Sequence, residues 1–137
     1  MTEVTAAIIH KNDKILICQR PKGKPCEFMW EFPGGKLEKG ESYEECIKRE
    51  CREELNINID VVDKMTDIVY EYPKLKVHIH FFNCVIAEGE IIKKEHNDIK
   101  WIGREDVSKF EFCPADSKVV DMVEFGDVDE LVSLYKK

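Results

Sequence analysis

Residues 34–57, GGKLEKGESYEECIKRECREELNI, constrain this chain more than any other stretch. Ser42 followed three residues later by Glu45 is a capping box, which predicts a helix starting near Ser42. Nothing from Tyr43 to Leu55 breaks a helix, and Glu, Lys, Arg and Leu favour one. At about 100° per residue, Glu50, Glu53 and Glu54 fall within an arc of roughly 100°. Carboxylates crowded one turn apart repel each other, and a hard divalent cation, Mg2+ first, is their natural partner. Ile47, Cys51 and Leu55 make a separate apolar stripe that should face a sheet. Arg49 adjoins Glu53 on the helical wheel and can orient a carboxylate. Gly34 and Gly35 permit a backbone turn that side chains would block, and a carbonyl in that turn can point at the same metal. The bland alternative is a solvated, charge-rich helix, which most Glu/Lys/Arg runs are.

The order of these residues carries a resemblance. Gly35, Glu41, Arg49, Glu50, Cys51, Glu53, Glu54 and Ile57 resemble the Nudix box, G-x5-E-x7-R-E-U-x-E-E-x-G-U with U aliphatic. Cys51 replaces an aliphatic residue and serves there as a small hydrophobe. Asn56 replaces the last Gly, and Asn tolerates the left-handed conformation that ends a helix. Upstream, WEFPGGK resembles the MutT-like subgroup more than the ADP-ribose or dinucleoside polyphosphate branches. The resemblance implies an α+β protein, an α/β/α sandwich with a mixed β-sheet between helices. It also implies Mg2+, with Mn2+ as the alternative, held by Glu50, Glu53, Glu54, Glu95 and a carbonyl of Gly34 or Gly35. Glu50, Glu53 and Glu95 are all candidates for the general base. Arg49 would hold a glutamate in place, and Glu41 would orient the loop or helix.

The remaining sequence reads as scaffold and pocket. Residues 3–9 and 14–20 are strand-like, and the H-K-N-D link between them predicts a hairpin. Arg20, at the end of the second strand, is on its own an ordinary strand-end charge; by resemblance it approaches a nucleotide. Residues 21–29 form a loop in which Phe28 lines a base pocket or covers the core. Trp30 and Phe32 should enter the core, with Glu31 on the other face. One or two strands are expected over 58–72 and a long one over 75–87. His78 and His80 on that last strand could bind metal, but no third ligand is evident to make zinc credible, so they read as partly buried strand residues, one of them, His80, beside the substrate. After a polar connection, a short strand starts at Ile99 and a short helix covers 104–110. Pro114 opens a further helix with Val119, Val120 and Val123 on its apolar face, and Asp116 is placed as an N-cap. By resemblance, Asp116 presents its side chain to the nucleobase. A last helical segment is expected after Gly126.

Composition sets the outer limits. At 137 residues the chain makes one domain, 1–137, with a real core. Its net charge of -7 disfavours a nucleic acid polymer as partner. A polyphosphate can still bind where metal ions bridge the charges. No run of about 20 apolar residues suggests a membrane span, and the N-terminus enters a strand without a signal peptide. The six Cys form no C-x-x-C, which fits reduced thiols in a cytoplasmic protein acting as monomer or homodimer.

By resemblance, then, the chain is a nucleoside triphosphate pyrophosphohydrolase that releases a monophosphate and pyrophosphate. Oxidised nucleotides such as 8-oxo-dGTP are the first substrates to consider. CTP or modified pyrimidine triphosphates are the rival, and a catalytically silent nucleotide sensor is the alternative of another class.

Overall fold

The computed structural model describes residues 1–126. The helical segment expected after Gly126 lies outside the described residues.

Strand β1 (Thr2–Lys11) turns through Asn12 and Asp13 into β2 (Lys14–Gln19). Both turn residues have positive φ, 50° and 62°, which suits a tight two-residue hairpin and residues whose short polar side chains tolerate that conformation. After a loop come the short strands β3 (Trp30–Glu31) and β4 (Gly34–Lys36), then helix α1 (Tyr43–Leu55). Strands β5 (Asn58–Tyr72) and β6 (Leu75–Glu88) form a long hairpin around Pro73 and Lys74. The segment over 58–72 is thus one continuous strand, with register shifts along its length. Strand β7 (Asp98–Ile102), a 3-10 turn (Arg104–Lys109) and helix α2 (Pro114–Val120) follow.

The sheet runs β3-β2-β1-β6-β5, with β4 paired to β1 and β7 to β2. Strands β1 and β6 are parallel and the other pairs antiparallel, so the sheet is mixed, as expected. Two cores explain the near-continuous apolar runs of β1 and β2, which are covered on both faces. On one face Ala6, Ile8, Ile17, Phe32, Val77 and Ile79 pack with Val119, Val120 and Val123 around α2. On the other, Ala7, Ile9, Leu16, Phe82 and Cys84 pack with Ile47, Cys51 and Leu55 of α1. The stripe read from the α1 sequence is therefore the face it buries.

Both ends of α1 follow from their residues. The Ser42 hydroxyl accepts from the Glu45 N–H, and the Glu45 carboxylate accepts from the Ser42 N–H. Asn56 closes the helix in the left-handed conformation at φ 62°. Helix α2 is capped three residues earlier than expected. Cys113 is the N-cap, Pro114 is the first helical residue, and Asp116 lies inside the first turn. Proline's fixed φ suits that first position and displaces the cap upstream. All six cysteines are free thiols. Among the described residues no helix is long and apolar enough to cross a membrane.

Candidate active site

The site assembles where α1 passes the β4 turn. Gly35 leaves the space that the Glu50 carboxylate occupies: a Cβ there would meet it at 2.5 to 2.6 Å and push it aside. Gly34 approaches β1 so closely that a Cβ would lie 1.9 Å from the Thr5 carbonyl oxygen. The Gly34 N–H also donates to Glu54 Oε2 at 3.1 Å. The two glycines thus bring a bare backbone onto the acidic face of α1.

Arg49 holds that face in order. Its Nε and Nη2 grip Glu41 at 2.5 and 3.0 Å, and its Nη1 donates to Glu50 at 2.8 Å and Glu53 at 3.2 Å. Nη2 also reaches the Lys36 carbonyl at 3.1 Å, tying the helix to the end of β4. The fork geometry of guanidinium allows these bonds together, where an ammonium would act as a point charge. The paired guanidinium lowers the Glu41 carboxyl to about 2, with the Glu38 N–H assisting. Glu41 therefore orients the loop before the helix, as the sequence implied.

Glu50 and Glu54 shift the other way from Glu41. Burial raises Glu50 despite its bond to Arg49, and the neighbouring Glu53 and Glu95 charges add to the rise. Burial, followed by the charges of Glu50, Glu31 and Glu95, pushes Glu54 up to about 9. Two residues outside the sequence-derived set complete this wall. Glu31 and the buried His96 lie opposite Glu54, with His96 Nε2 3.2 Å from Glu31 and 3.8 Å from Glu54. His96 Nδ1 is buried without a partner among the described residues. Its position next to Glu95 was the available signal for His96. For Glu31 it was the alternation that turned it away from Trp30 and Phe32.

Two adjoining cavities meet at Arg20 and Glu31, which are joined by a 2.9 Å ion pair. One, of about 490 Å3, is walled by Glu31, Glu54, Glu95, His96, Arg20 and Lys24. The other, of about 400 Å3, is mostly apolar, with Val4, Ala6, Phe32, Val77 and Ile79 around Asp116. Asp116 accepts from the Phe32 N–H at 3.3 Å, and burial, then the Glu31 charge, pushes it up to about 8.

The structure therefore brings Glu50, Glu53, Glu54, Glu95, Arg49, Gly34 and Gly35 to one region, with Arg20 and Asp116 beside it. It does not bring in Phe28 or His80. Phe28 is exposed at φ 63° in the 21–29 loop and borders neither cavity. His80 sits on the opposite face of β6 from the cavity residues Val77 and Ile79, under Tyr43 of α1. The carboxylate that the sequence did not reveal beside His78 and His80 is Glu3, brought alongside by the parallel β1–β6 pairing.

The NUDIX domain model matches residues 1–123. The chain belongs to the Nudix hydrolase family. It is 34% identical over 121 residues to a protein of Escherichia coli named CTP pyrophosphohydrolase, covering 88% of this chain and 90% of that one. It is likewise 34% identical over 119 residues to an 8-oxo-dGTP diphosphatase of Buchnera aphidicola, covering 87% and 90% of the two chains. The solution structure of the E. coli ORF135 protein matches with a TM-score of 0.77 at 33% identity, covering 88% of this chain and 86% of that one.

Proposed function

We propose that this enzyme is a Mg2+-dependent nucleoside triphosphate pyrophosphohydrolase that clears oxidised nucleotides such as 8-oxo-dGTP. The observation that carries this reading is the junction of an acidic cleft with an apolar cavity containing one buried acid. A ligand that fits both halves has a planar base at one end and a metal-bridged polyphosphate at the other. The names of the relatives, which include 8-oxo-dGTP diphosphatases, support it.

The residues fit the metal. The donors are hard oxygens from Glu50, Glu53, Glu54 and Glu95 with a Gly34 or Gly35 carbonyl, the type of set Mg2+ prefers. Burial first, and then the charges of Glu50, Glu31 and Glu95, push Glu54 up to about 9, and a bound cation would offset that rise. When bound, Mg2+ would neutralise phosphate charge and acidify a water. The protein's part is to place the reactants. Arg49 fixes Glu50 and Glu53 at one angle, so neither must reorganise during reaction. Arg20, between the cavities, faces the sugar and phosphates. Glu50, Glu53 or Glu95 takes the proton of the attacking water.

Asp116 reads the base. With its acid pushed up to about 8, it is mainly protonated at neutral pH and presents one donor and one acceptor. That pair matches the O6 and N1–H edge of an oxoguanine. It also matches N3 and the exocyclic amine of cytosine, and the CTP pyrophosphohydrolase relative favours this second reading.

A panel of canonical and oxidised NTPs and dNTPs, assayed with Mg2+ for pyrophosphate release, separates these readings. The expected result is the highest kcat/KM on an oxidised purine dNTP. A maximum on CTP would transfer the assignment to pyrimidines. Equal rates on every substrate would remove the sanitising role.

A further inference from the structure

We propose that Glu3, His78 and His80 form a second metal site, for a transition-metal dication of the Zn2+ type. It shares no residue with the oxygen-lined cleft and lies at the other end of α1, beside Tyr43. The parallel register sets Glu3 beside His78, and the two-residue repeat of β6 brings His80 to the same face. One ligand atom from each lies within 4.8 Å of the others. Glu3 Oε1 is 3.0 Å from His78 Nδ1 and 2.8 Å from His80 Nε2. Metal bonds of about 2.0–2.2 Å at tetrahedral or octahedral angles hold ligand atoms about 3.0–3.5 Å apart, so a small outward shift admits an ion.

The hydrogen bonds favour a cation. Both ring nitrogens of His78 face carboxylates: Nε2 is 2.6 Å from Asp67 and Nδ1 is 3.0 Å from Glu3. A neutral imidazole has one N–H and cannot serve both. With Nε2–H donated to Asp67, the Nδ1 lone pair points at the Glu3 carboxylate, where a metal ion would turn a repulsion into two bonds. An imidazole that ligates metal through one nitrogen and donates from the other to a carboxylate is a recurrent arrangement around such ions. His80, 4% exposed, presents its Nε2 to Glu3 Oε1 at 2.8 Å. Two imidazoles and one carboxylate suit a borderline ion and leave room for water, unlike the all-oxygen cleft. Glu3 and His78 remain 29% and 23% exposed, which opens a path for entry.

The surroundings give the site a consequence. The Tyr43 ring stacks on His80 at 3.9 Å, and its O–H donates to Glu3 Oε1 at 3.0 Å. Tyr43 is the first residue of α1, and β1 next pairs Thr5 with Gly35. An ion here would clamp β1 to β6 beneath the start of the helix that carries the acidic face.

The test uses the full chain stripped with EDTA, held in excess Mg2+ to fill the oxygen cleft, and titrated with Co2+ alone. The expected result is one Co2+ per chain, with visible d–d absorption, no thiolate charge-transfer band, competition by Zn2+ and a rise in Tm. His78→Ala, at a partly exposed position that should still fold, is expected to weaken binding about 100-fold, and Asp67→Asn about tenfold. Glu53→Gln should leave the Co2+ affinity unchanged. The proposal is overturned if Co2+ binding survives His78→Ala but is lost in Glu53→Gln, because the ion then occupies the cleft. A thiolate band would assign the ion to cysteines, and absence of binding would leave the cluster holding protons only; either result also overturns it.

Discussion

Two buried acids of this enzyme, Glu54 in the acidic cleft and Asp116 in the apolar cavity, are both pushed far above the usual carboxylate range, to about 9 and about 8. Burial is the main cause in each. The difference lies in the company they keep. Three further carboxylates, Glu50, Glu31 and Glu95, bear on Glu54, whereas on Asp116 the leading charge is that of Glu31 and Arg20 partly offsets it. The same upward pKa shift therefore has different meanings. In the cleft, crowded negative charge adds to burial, and a cation would offset it. In the apolar cavity the shift reports an acid that keeps its proton and becomes a hydrogen-bond donor.

The sharpest way to break this comparison is to neutralise one carboxylate in each region. Glu50→Gln and Glu53→Gln should each lower kcat/KM by about 10²-fold or more on every substrate. Raising Mg2+ separates their roles: a lost ligand is partly rescued, while a lost base is not. Unchanged turnover of every triphosphate in Glu53→Gln would remove it from the site. Asp116→Asn keeps a donor and an acceptor but fixes which atom donates. It should change the ratio of kcat/KM between bases by about tenfold, consistent with a recognition pair of about 1–3 kcal/mol. A loss of Tm with no change in base preference would reduce Asp116 to a structural member of the first turn of α2.

pH gives a milder version of the same contrast. Each acid binds its proton more tightly folded than unfolded, so each favours the folded state at low pH and loses that contribution as pH rises. For Glu54 the window runs from its ordinary 4.5 up to about 9, and for Asp116 from 3.8 up to about 8. The Tm of metal-free enzyme should therefore fall from pH 5 to pH 9. Mg2+ should flatten the part due to Glu54, and Asp116→Asn should flatten the other part. A pH slope insensitive to both would separate neither acid from the background. The smallest effect belongs outside both regions. Ser42→Ala removes half of the capping box and should cost about 1 kcal/mol in denaturant unfolding, with base preference untouched.

Much of the cleft was legible because its information is local. Helical spacing places Glu50, Glu53 and Glu54 on one face whatever surrounds them, and Ser42, Glu45 and Asn56 fix where that helix begins and ends. The apolar stripe of Ile47, Cys51 and Leu55 is legible for the same reason, since a buried face must recur at the helical period. Asp116 was less legible. Its position in the sequence fits a cap, but Pro114 moved the start of α2 so that Asp116 entered the cavity instead.

By itself, then, the sequence determined the acidic helix, its caps, its buried stripe and the mixed α+β order of elements. The tertiary structure alone decided that Glu31 and His96 join Glu54, that Phe28 and His80 stay out of the cavities, and that Glu3 meets His78 and His80. These are contacts between residues 65, 42 and about 75 positions apart. No local periodicity encodes them, because they depend on strand register and on which strand lies beside which. The acidity of Asp116 belongs to the same class. A carboxylic acid takes its proton affinity from the solvent it has lost, and that is known only once the chain has closed around it.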